Sequence, residues 1–528
     1  MRLNSSRGRK TSFNMTCKTM MRGMLGACLA LLAAIAPARS RAADEPARTL
    51  LVYDARNPAM DEADVERFCT LMTAMGKDLD FGDIRDCKDA LGAYDYVVCY
   101  RMEAIGEDEL RAVCDYGGEL LIMGGDLMKR TLTRMGRADK ILLESELDRG
   151  VLRYSFFGEE PFEAIVEAEN IALFEAEEES EGALAAQGQT CPFFSRIAGM
   201  RFTPVTSLAS PLAQAALAQE LTGWMWPYRD APPDYGQYLV LDEIYPFMDA
   251  QALLEQIDAL IGEDIPYVLS VAPIYENTSY PAMAQFCQVL RYAQANGGFI
   301  LIRAPIVQAV RRDGEALRRA LTQGLRAYTD NGVYPLGIEV PVSWTNDGFY
   351  LDALARYRTV FVRDDGGESG FSLDAGHSAL YDGGHQLVMP ALALDGTGAS
   401  QLTCYPSAIY LDADKTDAEQ IRALVRQLKG RRVPFQSLWT LGHAVWGDDL
   451  SLLYDGERLT LDGEAVSLAF EPEAFDEAYD YNRDIVSRIT ISLQRQNRYL
   501  TAATAVIVAA FAGFMIYLRR ANRRSFFF

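Results

Sequence analysis

The stretch Leu239-Val-Leu-Asp-Glu-Ile-Tyr-Pro-Phe, a helical repeat, and then Ile265-Pro-Tyr-Val-Leu-Ser-Val-Ala-Pro-Ile-Tyr constrain the fold of this chain more than any other segment. Apolar runs of this kind need cover on both faces, which parallel strands joined by crossover helices supply. The pattern then repeats. Strands are predicted over Tyr238–Leu241, Tyr267–Ala272 and Phe299–Ile302, and helices over Ala250–Ile261, Met283–Asn296 and Ile306–Tyr328. After Gly337 the alternation loosens, and it resumes at Thr359-Val-Phe-Val and in a helix over Asp417–Lys429. This spacing predicts an incomplete (β/α) barrel over residues 236–445.

The first of these strands ends in two adjacent acids, Asp242 and Glu243, and the third ends in Arg303. Ligands and chemistry gather at the carboxyl ends of parallel strands, so acids placed there are better site candidates than acids on a helix face. The plainer alternative is that the acids flank a turn before Pro246 and that Arg303 is solvated. Tyr245 and Tyr275 are candidate sugar-stacking residues, with Phe247 and Tyr280 beside them; packing around the neighbouring prolines accounts for them equally well.

The acid pair before Pro246, the strand ending in Pro273-Ile274-Tyr275, the Gly297-Gly298 strand and Gly337-Ile-Glu-Val-Pro341 together resemble the polysaccharide deacetylase superfamily. The likeness is nearest to a poorly characterised membrane-linked bacterial branch and covers roughly Gln237 to Pro434. It implies a general base at Asp242 and an acidic metal ligand at Glu243. The positions where that family carries metal-binding histidines fall on Arg303 and Val307, and a further one falls on Val342.

A catalytic zinc site takes about three protein ligands and an open position for water, and neither arginine nor valine is a ligand. No metal or other cofactor is therefore expected, and Asp242 and Glu243 are vestigial positions. The guanidinium of Arg303 is expected to stand in for the cation, bridging both carboxylates through charge-assisted hydrogen bonds. The expected role is a noncatalytic, glycan-binding or envelope-scaffold pseudoenzyme. Its alternative is an active carbohydrate deacetylase holding a zinc-like divalent metal through atypical ligands. Of the three histidines, His377 and His385 flank a turn and form a weak candidate for a replacement metal site.

The two ends set the expected location. Basic residues precede an apolar run from Met24 to Ala38, the layout of a secretory signal over residues 1–43. Residues 499–518 carry no charge, and Arg519, Arg520, Arg523 and Arg524 come next, which predicts a transmembrane helix with a cytoplasmic tail over 519–528. The expected placement is thus a single-pass protein of the cell membrane with an extracytoplasmic ectodomain, whose partners are a cell-envelope glycan or protein and the membrane itself. A formal charge of −22 over 528 residues argues against nucleic acid as a partner. Of nine cysteines, seven lie beyond the signal with no CxxC spacing, and one disulfide among Cys69, Cys87, Cys99 and Cys114 is left open.

The remaining organisation is α/β throughout. Residues 48–149 alternate strand and helix, with strands at Leu50-Leu-Val-Tyr, Tyr96-Val-Val-Cys-Tyr and Glu119-Leu-Leu-Ile-Met, predicting a flavodoxin-like parallel sheet. The segment Asp115-Tyr-Gly-Gly-Glu-Leu-Leu-Ile-Met-Gly-Gly is similar to glutamine amidotransferase-like domains, but Gly124-Gly125 stand where a nucleophilic cysteine is needed. Residues 150–235 are expected to be a β-rich linking region and 446–475 a small β appendage with Asp-Gly hairpin turns. A stalk helix is expected over 476–498. A third possible role, capture of an assembly partner by the N-terminal domain, stands beside the two assigned to the barrel.

Overall fold

The computed structural model describes residues 47–470 apart from short internal stretches, the longest of which are 226–235, 364–372 and 393–404. Four short strands, Thr49–Tyr53, Leu79–Asp83, Tyr96–Tyr100 and Glu119–Met123, pair in parallel with the first in the middle. The helix between the first two, Glu62–Ala74, starts where Asp61 accepts from the Ala63 amide at 3.0 Å, a side-chain N-cap. A fifth parallel strand, Met200–Thr203, joins Glu119–Met123 from far along the chain, so the parallel order is that of a doubly wound sheet. The segment expected to link two domains thus completes the first sheet. Four of its other strands form an antiparallel sheet, and the helix Pro211–Met225 buries Leu212, Leu217 and Leu221 in the core it shares with both sheets.

Seven parallel strands then close a barrel: β1 (Gln237–Ile244), β2 (Val268–Val271), β3 (Phe299–Arg303), β4 (Gly337–Pro341), β5 (Thr359–Arg363), β6 (Gln386–Pro390) and β7 (Ser407–Asp412). Helices α1 (Ala250–Gly262), α2 (Pro281–Ala295), α3 (Gly314–Thr329), α4 (Gly348–Leu354) and α5 (Ala418–Gly430) lie on the outside. The expectation of an incomplete barrel is corrected here. β7 pairs with β1 over six residues, from Gln237 opposite Ser407 to Asp242 opposite Asp412, so no edge is left open. The β-appendage residues form a four-stranded antiparallel sheet running from His443 to Ala465, with Gly456 and Gly463 at positive φ in its turns.

The barrel and the N-terminal sheet are joined. Gly376–His377, thirteen residues past the end of β5, adds an antiparallel strand beside Leu79–Asp83, and the Tyr53 hydroxyl donates to the Leu373 carbonyl at 2.6 Å.

The expected membrane helix and single-pass membrane location are also corrected. Among the described residues no helix is long and apolar enough to cross a membrane. The longest, α3, has sixteen residues and carries Arg318, Arg319 and Arg326, so it is both short of a bilayer core and charged. The signal peptide, stalk helix, transmembrane helix and tail, assigned to 1–43, 476–498, 499–518 and 519–528, lie outside the described residues. The architecture the structure supports is a closed barrel with accompanying sheets and, among the described residues, no membrane-spanning helix.

Candidate functional site at the barrel mouth

All seven barrel strands run the same way, so their carboxyl ends share one mouth, and four residues deliver charge to it from β1, β3 and β5. In a regular strand successive side chains point to opposite faces, which would separate Asp242 from Glu243. The pairing of β1 with β2 instead shifts register between Leu241 and Ile244, and Glu243 takes a left-handed backbone with φ of 58°. This bulge, secured by the Glu243 amide donating to Asp242 Oδ1 at 2.6 Å, brings both carboxylates to the same cluster.

Two arginines meet them there. From the end of β3, Arg303 places Nη2 2.7 Å from Asp242 Oδ1 and Nη1 2.8 Å from Glu243 Oε2. From the end of β5, Arg363 Nη1 lies 2.8 Å from both Asp242 Oδ2 and Glu243 Oε1. All four carboxylate oxygens of the pair are therefore in contact with a guanidinium. Asp242 is almost fully buried, whereas Glu243 and Arg363 are each about one-third exposed and form the outer edge of the ring. Burial opposes ionisation of Glu243, but hydrogen bonds from Arg303 and Arg363 outweigh it and hold its carboxyl below the usual range.

Beneath the ring lies a third acid. Glu339 of β4 is fully buried, and neither of its carboxylate oxygens has a hydrogen-bond partner. Its closest cations stand at ion-pair range only, Arg303 Nε at 3.8 Å and Arg363 Nη1 at 4.0 Å. Burial pushes the Glu339 carboxyl up to about 7, and the charge of Asp242 adds to this, against the pull of the two arginines. A proton on Glu339 leaves two carboxylates matched by two guanidinia.

The aromatic candidates separate. Tyr245 donates to Asp414 Oδ2 at 2.8 Å, while Tyr275 lies with its hydroxyl buried and unpartnered, and burial raises its phenol. The exposed aromatic surface on the β1–α1 and β2–α2 loops belongs to Phe247, 66% exposed, and Tyr280, 39% exposed. Sequence inspection named Asp242, Glu243 and Arg303, which the structure brings together, but did not single out Arg363 or Glu339. Signals for both exist: Thr359-Val-Phe-Val-Arg363 ends as Phe299-Ile-Leu-Ile-Arg303 does, and Glu339 interrupts a strand that is otherwise apolar.

The residues present do not fit a divalent metal. The oxygen atoms that would ligate it already face guanidinium nitrogens, whose positive charge opposes a second cation. Among the described residues no group of three or more His, Cys, Asp or Glu side chains is arranged to hold a metal ion. His443 lies at the other end of β5, beside its first residue: Thr359 Oγ1 is 2.6 Å from Nδ1, and Nε2 is 2.7 Å from the Leu438 carbonyl. His377 pairs with Asp80 in the strand beside Leu79–Asp83, and His385 lies outside the described residues. Cys69, Cys87, Cys99, Cys114, Cys191 and Cys287 are free thiols, so the disulfide left open among the first four is not formed.

No protein family matches this chain, and no curated protein matches it. Among solved structures, the β-galactosidase from the psychrophilic Marinomonas ef1 is similar over 34% of this chain and 29% of that enzyme, at 12% identity and a TM-score of 0.24. This chain thus spans less than a third of that enzyme's length, and a likeness at this level carries no argument about fold or activity.

Proposed function

We propose that this protein is a noncatalytic, polysaccharide-deacetylase-like binding protein whose barrel mouth recognises a cell-envelope glycan. The observation that carries the proposal is the commitment of all four Asp242 and Glu243 oxygens to Arg303 and Arg363. Both Asp242 oxygens already accept from guanidinium nitrogens, so neither is left facing a substrate in the way a general base requires. The half-open Arg363–Glu243 edge offers donors and acceptors side by side, the pairing that neighbouring sugar hydroxyls require. Phe247 and Tyr280 supply apolar faces nearby for the ring of the sugar.

The test is a calorimetric titration with N-acetylated oligosaccharides beside an acetate-release assay run with zinc, cobalt or manganese. Binding without acetate release is expected, with Phe247→Ala and Tyr280→Ala each weakening affinity by roughly tenfold. Metal-dependent acetate release that disappears in Asp242→Ala would establish the alternative, an active deacetylase. Absence of binding to any envelope glycan would remove the glycan partner.

A further inference from the structure

Helices α1 and α2 run down the outside of the barrel side by side, and both start at its mouth because each follows a strand that ends there. Between them lies a groove of about 600 Å³, inside the range of roughly 300–1,000 Å³ in which small-molecule sites fall. Leu254, Val289, Tyr292 and Phe470 give it apolar walls, and Gln251 and Gln285 stand among them. The rings of Tyr292 and Phe470 meet edge to face with centroids 5.5 Å apart. Across the groove, the Tyr292 hydroxyl donates to Asp258 Oδ1 at 2.8 Å and ties α2 to α1.

The lining selects a ligand by its chemistry. Among the described residues that line the groove there is no lysine, arginine or histidine, so an anion finds no countercharge, and the one carboxylate is already engaged by Tyr292. The remaining polar groups are mostly amides. An amide presents a donor and an acceptor side by side, which suits a hydroxyl, and aromatic walls suit the apolar face of a sugar ring.

Position gives the second argument. The β1–α1 loop that carries Phe247, 66% exposed, leads directly into Ala250 at the upper end of the groove, and Tyr280, 39% exposed, caps the start of α2 above Gln285. The exposed aromatics of the mouth therefore adjoin the groove. From Ala250 to Asp258, α1 rises by about 12 Å at roughly 1.5 Å per residue, which is longer than a single sugar ring.

We propose that the α1–α2 groove continues the mouth as a second subsite, so that the protein takes a linear, uncharged oligosaccharide rather than a single sugar. One end of the ligand meets the Arg363–Glu243 edge, the chain crosses Phe247 and Tyr280, and its later units sit between α1 and α2 against Tyr292 and Phe470. This inference rests on the glycan reading of the mouth and adds the form and length of the ligand.

The test is calorimetric titration of the full chain with N-acetylglucosamine oligomers from dimer to hexamer. The hexamer is expected to bind tighter than the dimer by about tenfold or more, and Tyr292→Ala and Phe470→Ala are each expected to cancel that gain. Gln285→Trp, which obstructs the groove without emptying a packed position, should cancel it too. Equal affinity for dimer and hexamer in the wild type, or a gain that survives Gln285→Trp, would overturn the second subsite and leave the mouth reading standing. Failure of every oligomer to bind would instead be the failure of the mouth reading, and this inference would fall with it.

Discussion

Glu339→Gln isolates the energetic consequence of the buried acid under the arginine ring. The substitution keeps the shape and removes the ionisable proton. Burial raises the Glu339 carboxyl from 4.5 to about 7 in the folded protein, so it stays protonated there while its counterpart in the unfolded chain ionises. Below pH 4.5 both states are protonated and the carboxyl has no effect on stability. Between 4.5 and 7 the unfolded chain alone loses its proton, so folding becomes less favourable as pH rises, and above 7 the penalty is complete. At about 1.4 kcal/mol per pH unit, the span from 4.5 to about 7 amounts to about 3 kcal/mol. Glu339→Gln should therefore match the wild type near pH 4.5 and exceed it by about 3 kcal/mol at pH 8. Urea unfolding of both proteins at half-unit pH intervals, monitored by tryptophan fluorescence, measures the difference. A difference that does not change with pH, or a variant less stable than wild type at pH 8, would show that Glu339 is ionised and held by the arginines, and would refute the reasoning.

Arg303→Ala leaves the buried Asp242 with Arg363 alone and should lower stability by roughly 3 kcal/mol in the same assay, whereas Arg303→Lys, which keeps the charge but not the fork, should recover only part of it. His443 slopes the opposite way to Glu339. Burial lowers its imidazole from 6.5 to about 4, so the unfolded chain binds a proton that the fold refuses, and stability is lost as pH falls from 6.5 toward 4. His443→Gln should flatten that limb, worth up to about 3 kcal/mol at its acid end, and a limb that persists unchanged would assign it to another group.

The alternation of apolar runs and helix patterns made the parallel strands of the barrel visible in sequence, because burial on both faces leaves a continuous signal. Closure was not visible, because it depends on β7 reaching β1 across the whole domain, and no local pattern encodes that pairing. The same holds for Met200–Thr203, which reads as part of a β-rich segment but completes a sheet whose other parallel strands end at Met123. The site was half legible. Arg303 could be placed with Asp242 and Glu243 because it falls on a metal-ligand position of the family that this segment resembles, although β2 stands between their strands. The bulge that turns Glu243 inward leaves no residue signature, since no glycine marks its positive φ. Arg363 joins the ring, and Glu339 comes to lie beneath it, only when β4 pairs with β3 and β5 with β4, with Arg303 opposite Glu339 and Pro341 opposite Arg363.

A metal ion and a pair of guanidinia answer the same electrostatic problem in different ways. Two carboxylates at one barrel mouth repel each other and need about two positive charges nearby. A dication supplies them from a single point and keeps a coordination position for water, whose proton it then releases. Arg303 and Arg363 supply them as planar forks whose hydrogens are directed at fixed carboxylate oxygens. Guanidinia do not acidify a water molecule in that way. The strained backbone at Glu243, which costs about 1–3 kcal/mol in general, is then balanced by the contacts it completes rather than by chemistry it prepares. Under the proposed function, the surplus acid is neutralised by a proton on Glu339, the ring closes with no net charge, and only its Arg363–Glu243 edge is left to meet a ligand. An uncharged, hydroxyl-rich ligand suits that edge better than an anion, which Glu243 would repel, or a cation, which Arg363 would repel.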